Sequence, residues 1–211
     1  MAPRTFKRDI RLPAGLNTRM RIIGGEFKGR AIAAPQGRDT RPTGDRAREG
    51  VFNILAHAEW SSGVAGRRVL DLFAGSGALG LEGMSRGAAF ALFVETDSGA
   101  RGMIRDNIEA LGLYGTTRIH RRDATDLGQK PAGLGAPFDL VFLDPPYGKG
   151  LGERALAKLR EGGWIEAGAL AVFEVGADEA PAAAGFEALD ERSYGAAKVL
   201  FLRALYRATR S

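Results

Sequence analysis

The sequence predicts an α/β fold in which a seven-stranded, mostly parallel sheet ends in an antiparallel hairpin. From residue 67 onwards, short apolar runs alternate with segments whose apolar residues recur at helical spacing, as they do where helices connect parallel strands. The last two β-prone runs, residues 186–195 and 196–207, are joined without room for a helix, so they must pair in the antiparallel sense. A glycine-rich turn directly after the predicted strand at residues 67–73 indicates a Rossmann-like arrangement.

The 211 residues have the composition of an ordinary globular protein, with 45% hydrophobic and 26% charged residues, and this length supports one main domain. No apolar run approaches the roughly 18 residues of a membrane span, and the N-terminus lacks the apolar core of a secretory signal. Asp9 and the lack of an apolar face argue against a transit peptide in this arginine-rich N-terminus. We therefore expect a cytoplasmic protein without membrane contact.

The residues available for chemistry narrow the choice of function. The absence of cysteine excludes disulfides, thiolate catalysis and cysteine-ligated metals. The two histidines, His57 and His120, are far apart and show no metal-ligand spacing, so we interpret both as structural and expect no metal.

Positive charge is concentrated near the N-terminus, where Lys or Arg recurs every few positions between Arg4 and Arg48, while the rest of the chain is close to balanced. A basic segment of this kind favours binding to an anionic polymer such as RNA, although a solvated basic tail without a partner has the same composition. The candidate RNA-binding residues are Lys28, Arg30, Arg38, Arg46 and Arg48, together with Lys149 farther along the chain.

The N-terminal part divides into two segments. Residues 1–19 show no periodicity, and we expect them to form a disordered basic extension. Residues 20–66 begin with "RIIGGEFKGRAIAAP", whose two β-prone pieces around a glycine-rich turn predict a hairpin. Thr43 suits an N-cap, and the apolar residues that follow it predict a helix from about Gly44 to Ala58.

The main domain, residues 67–211, contains all seven strands of the predicted sheet. Besides the C-terminal pair, strands are predicted at residues 67–73, 89–95, 117–123, 138–144 and 170–175. Helices are predicted at residues 78–86, around Met103 to Leu111, and at residues 152–160.

The glycines of "VLDLFAGSGALG" are the first chemical motif. Gly75, Gly77 and Gly80 follow a strand and precede a helix, and with Glu95 at the end of the next strand they match a dinucleotide-binding fingerprint. Asp71, however, places a carboxylate inside the strand end, where it needs a cation or a hydroxyl as its partner. S-adenosylmethionine meets both requirements, because its ribose hydroxyls suit Glu95 and its amino-acid tail and sulfonium suit Asp71.

Asp123, which ends the third predicted strand, is placed to read the adenine amino group of the same cofactor. The candidate cofactor-binding residues of these loops are Asp71, Phe73, Ala74, Gly75, Ser76, Gly77, Glu95, Thr96, Asp123 and Ala124, joined by Asp144 from the next motif. A nicotinamide-dependent oxidoreductase that uses the glycines and Glu95 remains an alternative.

The run "LDPPYGKG" begins where a buried strand ends, because neither Pro145 nor Pro146 can donate a hydrogen bond to a sheet. Asp144 and Tyr147 are therefore expected at the sheet edge, where open α/β folds bind ligands. An exocyclic amine of a nucleobase suits this group, since Asp144 and the Pro145 carbonyl can each accept one N–H while the Tyr147 ring stacks on the base. The candidate catalytic residues are Asp144, Pro145, Pro146 and Tyr147.

Five stretches of the sequence are together similar to one known family: "MRIIGGEFKGR", "RPTGDRAREGVFNIL", "VLDLFAGSGALGLEGMSRGA", "DLVFLDPPYGKG" and "YGAAKVLFLR". They resemble the bacterial small-subunit ribosomal RNA guanine-N2 methyltransferases, the RsmD family, over nearly everything after Met20. The Asp-Pro-Pro-Tyr motif by itself is shared with adenine-N6 methyltransferases of DNA and RNA. The hairpin and the R-P-T element are far more specific.

The resemblance implies a class I methyltransferase fold, S-adenosylmethionine as methyl donor, and methylation of one guanine N2 amine in 16S ribosomal RNA, in an assembling or assembled small subunit. It also implies that Arg41, Pro42 and Thr43 lie over the methionine end of the cofactor, while Arg46 and Arg48 serve cofactor or RNA. We expect a monomer. An adenine-N6 methyltransferase and a non-catalytic RNA-binding module that keeps the fold remain as alternatives, and the presence of Asp144 disfavours the second.

Overall fold

The computed structural model describes residues 17–34 and 42–205. The strands are β1 (Asn17–Arg21), β2 (Ala31–Ala34), β3 (Arg68–Leu72), β4 (Phe90–Val94), β5 (Thr117–His120), β6 (Phe138–Leu143), β7 (Ile165–Gly176), β8 (Phe186–Tyr194) and β9 (Ala197–Ala204). The helices are α1 (Pro42–His57), α2 (Ala78–Ser85), α3 (Ser98–Leu111) and α4 (Leu151–Glu161), with one turn of 3-10 helix at Ala132–Leu134. No helix within these ranges has the length and apolar composition needed to cross a membrane.

Strands β3 to β9 form one seven-stranded sheet in the order β5-β4-β3-β6-β7-β9-β8, and β1 pairs with β2 in a separate antiparallel hairpin. Strands β3 to β7 are parallel, whereas β9 is antiparallel to both of its neighbours. The predicted fold class, with its antiparallel C-terminal hairpin, is therefore confirmed. The last strand, β9, lies between β7 and β8, and none of its residues is exposed. The charged and largely exposed β8 forms the edge of the sheet.

The alternation of side chains along the strands divides the core in two. Val69 and Phe142 belong to the core that packs under α1, α2 and α3, and we call this side of the sheet the α1 face. Leu70 and Val141 belong to the core on the opposite side, under α4. The strand order reverses at β3, which has β4 on one side and β6 on the other, so the loops that follow β3 and β6 diverge and leave a crevice at the carboxyl edge of the sheet.

The N-terminal elements begin earlier than predicted. Strand β1 starts at Asn17, within the segment expected to be irregular, and residues 1–16 lie outside the described ranges. Helix α1 starts at Pro42 rather than Gly44, because proline has a φ suited to the first helical turn and needs no N–H there. Thr43 is consequently inside the helix instead of capping it.

Two strands of the main sheet also differ from the prediction. Strand β5 ends at His120, and the chain turns away before Asp123, whose side chain closes a tight turn by accepting hydrogen bonds from Thr125. Strand β7 begins at Ile165, earlier than the predicted residue 170, and passes through Gly168, whose φ of 85° only glycine adopts readily.

Buried polar side chains fix the N-terminal hairpin to the main domain. Glu82 of α2 is fully buried, and its carboxylate accepts hydrogen bonds from the backbone N–H groups of Ile23 and Gly24, each at 2.8 Å. The Arg86 guanidinium donates to the same carboxylate at 2.8 Å and supplies the positive charge that a buried carboxylate requires.

Asn107 of α3 makes a second attachment. Its side-chain amide pairs with the backbone of Ala33 in both directions, at 2.7 and 3.1 Å, and also donates to the Ser76 carbonyl at 3.0 Å. The hairpin is therefore connected directly to the glycine turn after β3, and it contributes to the wall of the crevice.

Candidate functional site

Four carboxylates stand at the carboxyl edge of the sheet on the α1 face. Asp71 lies near the end of β3, Glu95 and Asp144 follow directly after β4 and β6, and Glu174 lies near the end of β7. Each comes two residues after an apolar side chain of the α1-face core: Val69, Phe93, Phe142 and Val172. Because side chains alternate along a strand, all four carboxylates project from the same face.

The loop after β3 has the backbone conformation that its glycines predict. Gly75 and Gly77 have φ values of 55° and 78°, and Phe73 adopts a positive φ of 58° as well. Gly80 serves another purpose, since a Cβ there would lie 2.4 Å from the Phe93 ring. The first two glycines thus form the tight turn, and the third lets α2 approach the sheet closely.

Asp71 is 2% exposed, and its Oδ2 accepts a hydrogen bond from the Gly80 N–H at 2.9 Å. Burial raises the pKa of this carboxyl well above its usual value, and the negative charges of Asp144 and Glu95 add to the effect, while the Gly80 N–H acts in the opposite direction. The partner of Asp71 is therefore a backbone N–H, where the sequence led us to expect a cation or a hydroxyl.

Glu95 joins two loops at the end of β4. Its Oε2 accepts from the Gly75 N–H at 2.8 Å, and its Oε1 accepts from the Asp97 N–H at 2.9 Å. Each carboxylate oxygen has two acceptor sites, so these bonds leave capacity for a ribose hydroxyl. Farther along the edge, Thr96 and Asp123 are exposed and Ala124 is buried.

A cavity of about 390 Å³ opens at this edge, which is within the size range of small-molecule sites. Its wall combines the hairpin, the first half of α1, the loop after β3, the motif after β6, the end of β7 and the turn between β8 and β9. The predicted cofactor or catalytic residues that line it are Asp71, Phe73, Ala74, Gly75, Ser76, Asp144 and Tyr147. Those that do not line it are Gly77, Glu95, Thr96, Asp123, Ala124, Pro145 and Pro146.

The Asp-Pro-Pro-Tyr motif leaves the sheet as predicted. Asp144 is the first residue after β6 and is exposed, Pro145 is buried, and Pro146 is exposed. Tyr147 is 44% exposed, and its hydroxyl donates a hydrogen bond to Glu174 Oε1 at 2.5 Å. Partial burial and the bond to Glu174 raise the pKa of this hydroxyl, so it remains a donor.

Glu179, in the connection between β7 and β8, holds the same loop from the other side. Its carboxylate accepts hydrogen bonds from the backbone N–H groups of Gly148, at 2.7 Å, and Gly176, at 2.6 Å. This bridge ties the end of the Asp-Pro-Pro-Tyr loop to the end of β7. Neither Glu174 nor Glu179 belongs to a motif, so the sequence offers no signal for their positions in the site.

Arg48, expected to serve cofactor or RNA, is buried in the structure. It is 7% exposed, and its Nη2 donates to the Arg21 carbonyl at 2.9 Å and to Asp45 Oδ1 at 3.0 Å. Burial lowers the pKa of its guanidinium despite the nearby carboxylates of Asp45 and Glu82. Arg48 lines the cavity, so it is available to a ligand there and not to an RNA backbone at the surface.

The other predicted basic residues fall into three groups. Lys28, Arg46 and Lys149 are exposed. Arg30 is also exposed, but its Nη2 donates to the Ala110 carbonyl at the end of α3 at 2.8 Å. Arg38 and Arg41 lie outside the described residues.

Pro42 and Thr43, which the family resemblance places over the methionine end of the cofactor, form the start of α1. They precede Gly44, which lies at the cavity wall.

Helix α1 and the turn between β8 and β9 meet at the far side of the cavity. A Cβ at Gly50 would lie 2.3 Å from the Tyr194 hydroxyl, so only glycine allows this approach. Within the described ranges, His, Asp and Glu form no cluster of three or more that could hold a metal.

Comparison with known proteins places the chain among methyltransferases. The family described as "conserved hypothetical protein 95" matches residues 20–203. Among curated relatives, the chain is 38% identical over 155 residues to "Ribosomal RNA small subunit methyltransferase D" of Escherichia coli K12, and the matched region covers 74% of each chain. It is 40% identical over 128 residues to "Putative rRNA methyltransferase YlbH" of Bacillus subtilis, which covers 61% of this chain and 67% of the relative.

A solved structure has the same fold. The putative methyltransferase yhhF from Escherichia coli superposes with a TM-score of 0.76 at 35% identity, and the alignment covers 89% of this chain and 99% of that one.

Proposed function

The chain belongs to the family described as "conserved hypothetical protein 95", the RsmD family, and from that premise we propose that it methylates the N2 amine of a guanine in 16S ribosomal RNA, with S-adenosylmethionine as donor. The substrate in this proposal is an assembling or assembled small subunit in the cytoplasm, and the enzyme acts as a monomer. The names of the relatives support a ribosomal RNA substrate and favour methyl transfer over hydride transfer to a nicotinamide.

The observation that carries the proposal is the shared cavity. The glycine turn after β3 and Asp144 after β6 line one space, so a cofactor on the turn and a base at Asp144 are neighbours. The site fits the cofactor. The glycine turn has a left-handed backbone without side chains, which lets a ligand approach closely, and carboxylates at the same edge can accept hydrogen bonds from its amine and hydroxyl groups. When bound, S-adenosylmethionine would supply an electrophilic methyl group, whose bond to sulfur breaks on transfer to leave S-adenosylhomocysteine.

The residues of this chain prepare the amine. The lone pair of an exocyclic amine is delocalised into the ring, which makes it a weak nucleophile. Asp144 accepts one N–H and the Pro145 carbonyl accepts the other, which turns the lone pair out of the ring plane. The amine loses one proton as the new N–C bond forms, and the carboxylate of Asp144, open to solvent, receives it. The half-exposed Tyr147 ring offers a stacking surface to the base, worth about 1–3 kcal/mol.

The experiment identifies the product. Purified protein, labelled S-adenosylmethionine and small subunits from cells lacking this activity should give N2-methylguanosine as the one labelled nucleoside, found by digestion and mass spectrometry. N6-methyladenosine would contradict the guanine assignment and keep the amine chemistry, whereas a methyl group on a ring carbon or a ribose would contradict both.

Asp144→Ala provides the control for the site. Turnover should fall by about 10²-fold or more, because the acceptor that aims the lone pair is lost, while cofactor affinity measured by calorimetry changes little. Asp144→Asn should also be slow, since its amide can present N–H groups to the amine. A near-normal rate in Asp144→Ala would remove Asp144 from the mechanism.

A further inference from the structure

Glu174 stands beside Asp144 in the sheet. Leu143 of β6 pairs with Phe173 of β7 in the parallel ladder, so Asp144 and Glu174 are the next residues on two neighbouring strands. Neighbouring strands are about 4.8 Å apart, and both side chains project from the α1 face. The two carboxylates therefore form a row of acceptors along one wall of the cavity.

The Tyr147 hydroxyl accounts for only one oxygen of Glu174. It donates to Oε1 at 2.5 Å, and among the described residues no donor is bonded to Oε2. A hydroxyl needs a single acceptor, which an amide or a backbone carbonyl would supply without placing a second negative charge next to Asp144. Accepting the Tyr147 hydroxyl therefore does not require a half-buried carboxylate, and Oε2 can accept a further hydrogen bond.

The base edge next to the reacting amine distinguishes the two purines. In guanine the N2 amine is beside the N1–H, so these two adjacent positions are both donors. In adenine the N6 amine is beside N1, which carries a lone pair. A row of two carboxylates complements the guanine edge and repels the adenine edge.

We propose that Glu174 accepts the N1–H of the target guanine while Asp144 accepts the amine, and that Glu174 thereby selects guanine over adenine. The proposal rests on the proposed function, because it presupposes a purine amine at Asp144. With Oε1 on the Tyr147 hydroxyl, the carboxylate is oriented and Oε2 is directed to the base that stacks on the same tyrosine.

The test uses a base that changes the N1 position and keeps the amine. 2-Aminopurine carries the exocyclic amine but lacks O6, and its N1 therefore has a lone pair in place of the N–H; the Glu174→Gln variant separates the loss of the N–H from the loss of O6. The methylated nucleotide is first located by mass spectrometry of ribonuclease fragments. Small subunits are then reconstituted with guanine or 2-aminopurine at that position, and single-turnover rates are measured for both. The wild type should prefer guanine by about 10²-fold or more, because a site built around an N–H rejects an analogue that lacks it.

Two variants separate base selection from support of the tyrosine. Glu174→Gln keeps an acceptor for the Tyr147 hydroxyl and can donate to the N1 lone pair, so the guanine preference should fall below about 10-fold. Tyr147→Phe keeps the stacking ring and the Glu174 carboxylate but removes the bond that orients this carboxylate, so its guanine preference should lie between those of the wild type and Glu174→Gln. Unfolding curves and cofactor affinity check that each variant is folded.

Two results would overturn the inference: equal rates for both bases in the wild type, or a Glu174→Gln variant that slows both substrates with an unchanged preference. The second would leave Glu174 as a residue that positions Tyr147. Failure of the proposed function is a separate result, since it would appear as absent N2 methylation of the guanine-containing subunit by the wild-type protein.

Discussion

Ionisation of Asp71, at the centre of the site, is unfavourable in the folded protein. Asp71 is 2% exposed, and its pKa is raised by burial and by the nearby carboxylates. A purely structural residue at this position would be apolar, as Val69 and Leu70 are in the same strand. A carboxylate that is costly to ionise and lines the cavity supports the proposal that Asp71 binds the cofactor.

Asp71→Asn should remove this cost. Because the folded pKa is raised, the native state holds a proton that the unfolded chain has already released above about pH 3.9. The contribution of Asp71 to stability is therefore full below that pH and is lost as the pH rises through the folded pKa. Asparagine cannot ionise, and its Oδ1 still accepts from the Gly80 N–H.

Urea unfolding at pH 5 and pH 8 measures the effect. The stability of Asp71→Asn relative to the wild type should increase with pH, by up to about 1.4 kcal/mol per pH unit. Cofactor affinity should fall by about 1–3 kcal/mol in the same variant. Parallel stability curves for the two proteins would show that Asp71 ionises as freely as it does in the unfolded chain.

Two carboxylates on the β7 side hold the Asp-Pro-Pro-Tyr loop in position by accepting hydrogen bonds. Glu174 binds the Tyr147 hydroxyl, and Glu179 bridges the backbone of Gly148 and Gly176. The prolines stop the strand and stiffen the chain, but neither has an N–H to donate to a neighbouring strand. The stiffness of the loop is a local property, whereas its placement depends on the neighbouring strand.

Glu179→Gln should loosen this placement. The amide has one acceptor oxygen instead of two, so either Gly148 or Gly176 loses its partner. We expect kcat to fall by about 10- to 100-fold, because small displacements of reacting groups are costly, while cofactor affinity stays near that of the wild type. Steady-state kinetics and calorimetry report the two quantities.

Glu161→Gln is the matched control for this substitution. It removes an exposed ion pair with Lys158 on α4, under the opposite face of the sheet, and should leave kcat unchanged. If Glu179→Gln is as active as this control, the bridge does not position the loop.

The basic residues near the N-terminus lie in different environments in the folded molecule: some are buried or hydrogen-bonded within the protein, and others are exposed to solvent. Arg48 is buried against Asp45, whereas Arg30 is exposed and donates one hydrogen bond from its Nη2 to the end of α3. Lys28 and Arg46 remain exposed, and both border a second cavity of about 480 Å³ between the hairpin and α1. Docking of the hairpin through Glu82 places this basic surface on the α1 face, the side on which the active-site carboxylates project.

Lys28 and Arg46 should therefore account for part of the salt dependence of RNA binding. Changing both to alanine should reduce the slope of log K against log salt by about 0.7–0.9 for each lost phosphate contact. Filter binding or fluorescence anisotropy over a salt series measures the slope. Lys158→Ala, under the opposite face of the sheet, should leave it unchanged, and equal slopes in all three proteins would place the RNA elsewhere.

The sequence by itself determined those features whose physical cause is local. The near-continuous apolar runs of β3 and β6 predict buried strands, the glycines at 75 and 77 predict a tight turn, and Pro145 and Pro146 predict the end of a strand. Each property depends on the residue and its immediate neighbours. Asp71 and Asp144 could be singled out because a carboxylate at the end of a buried strand is unusual wherever that strand lies.

Only the tertiary structure decided which polar groups meet. Tyr147 and Glu174 are 27 residues apart and Gly148 and Glu179 are 31 apart, and they meet because β7 pairs with β6. Arg48 could not be distinguished from Arg46 by charge, since the burial of Arg48 and its hydrogen bond to the Arg21 carbonyl depend on how the hairpin packs on α1. A hydrogen bond requires two partners at about 3 Å, and a single side chain does not specify its distant partner.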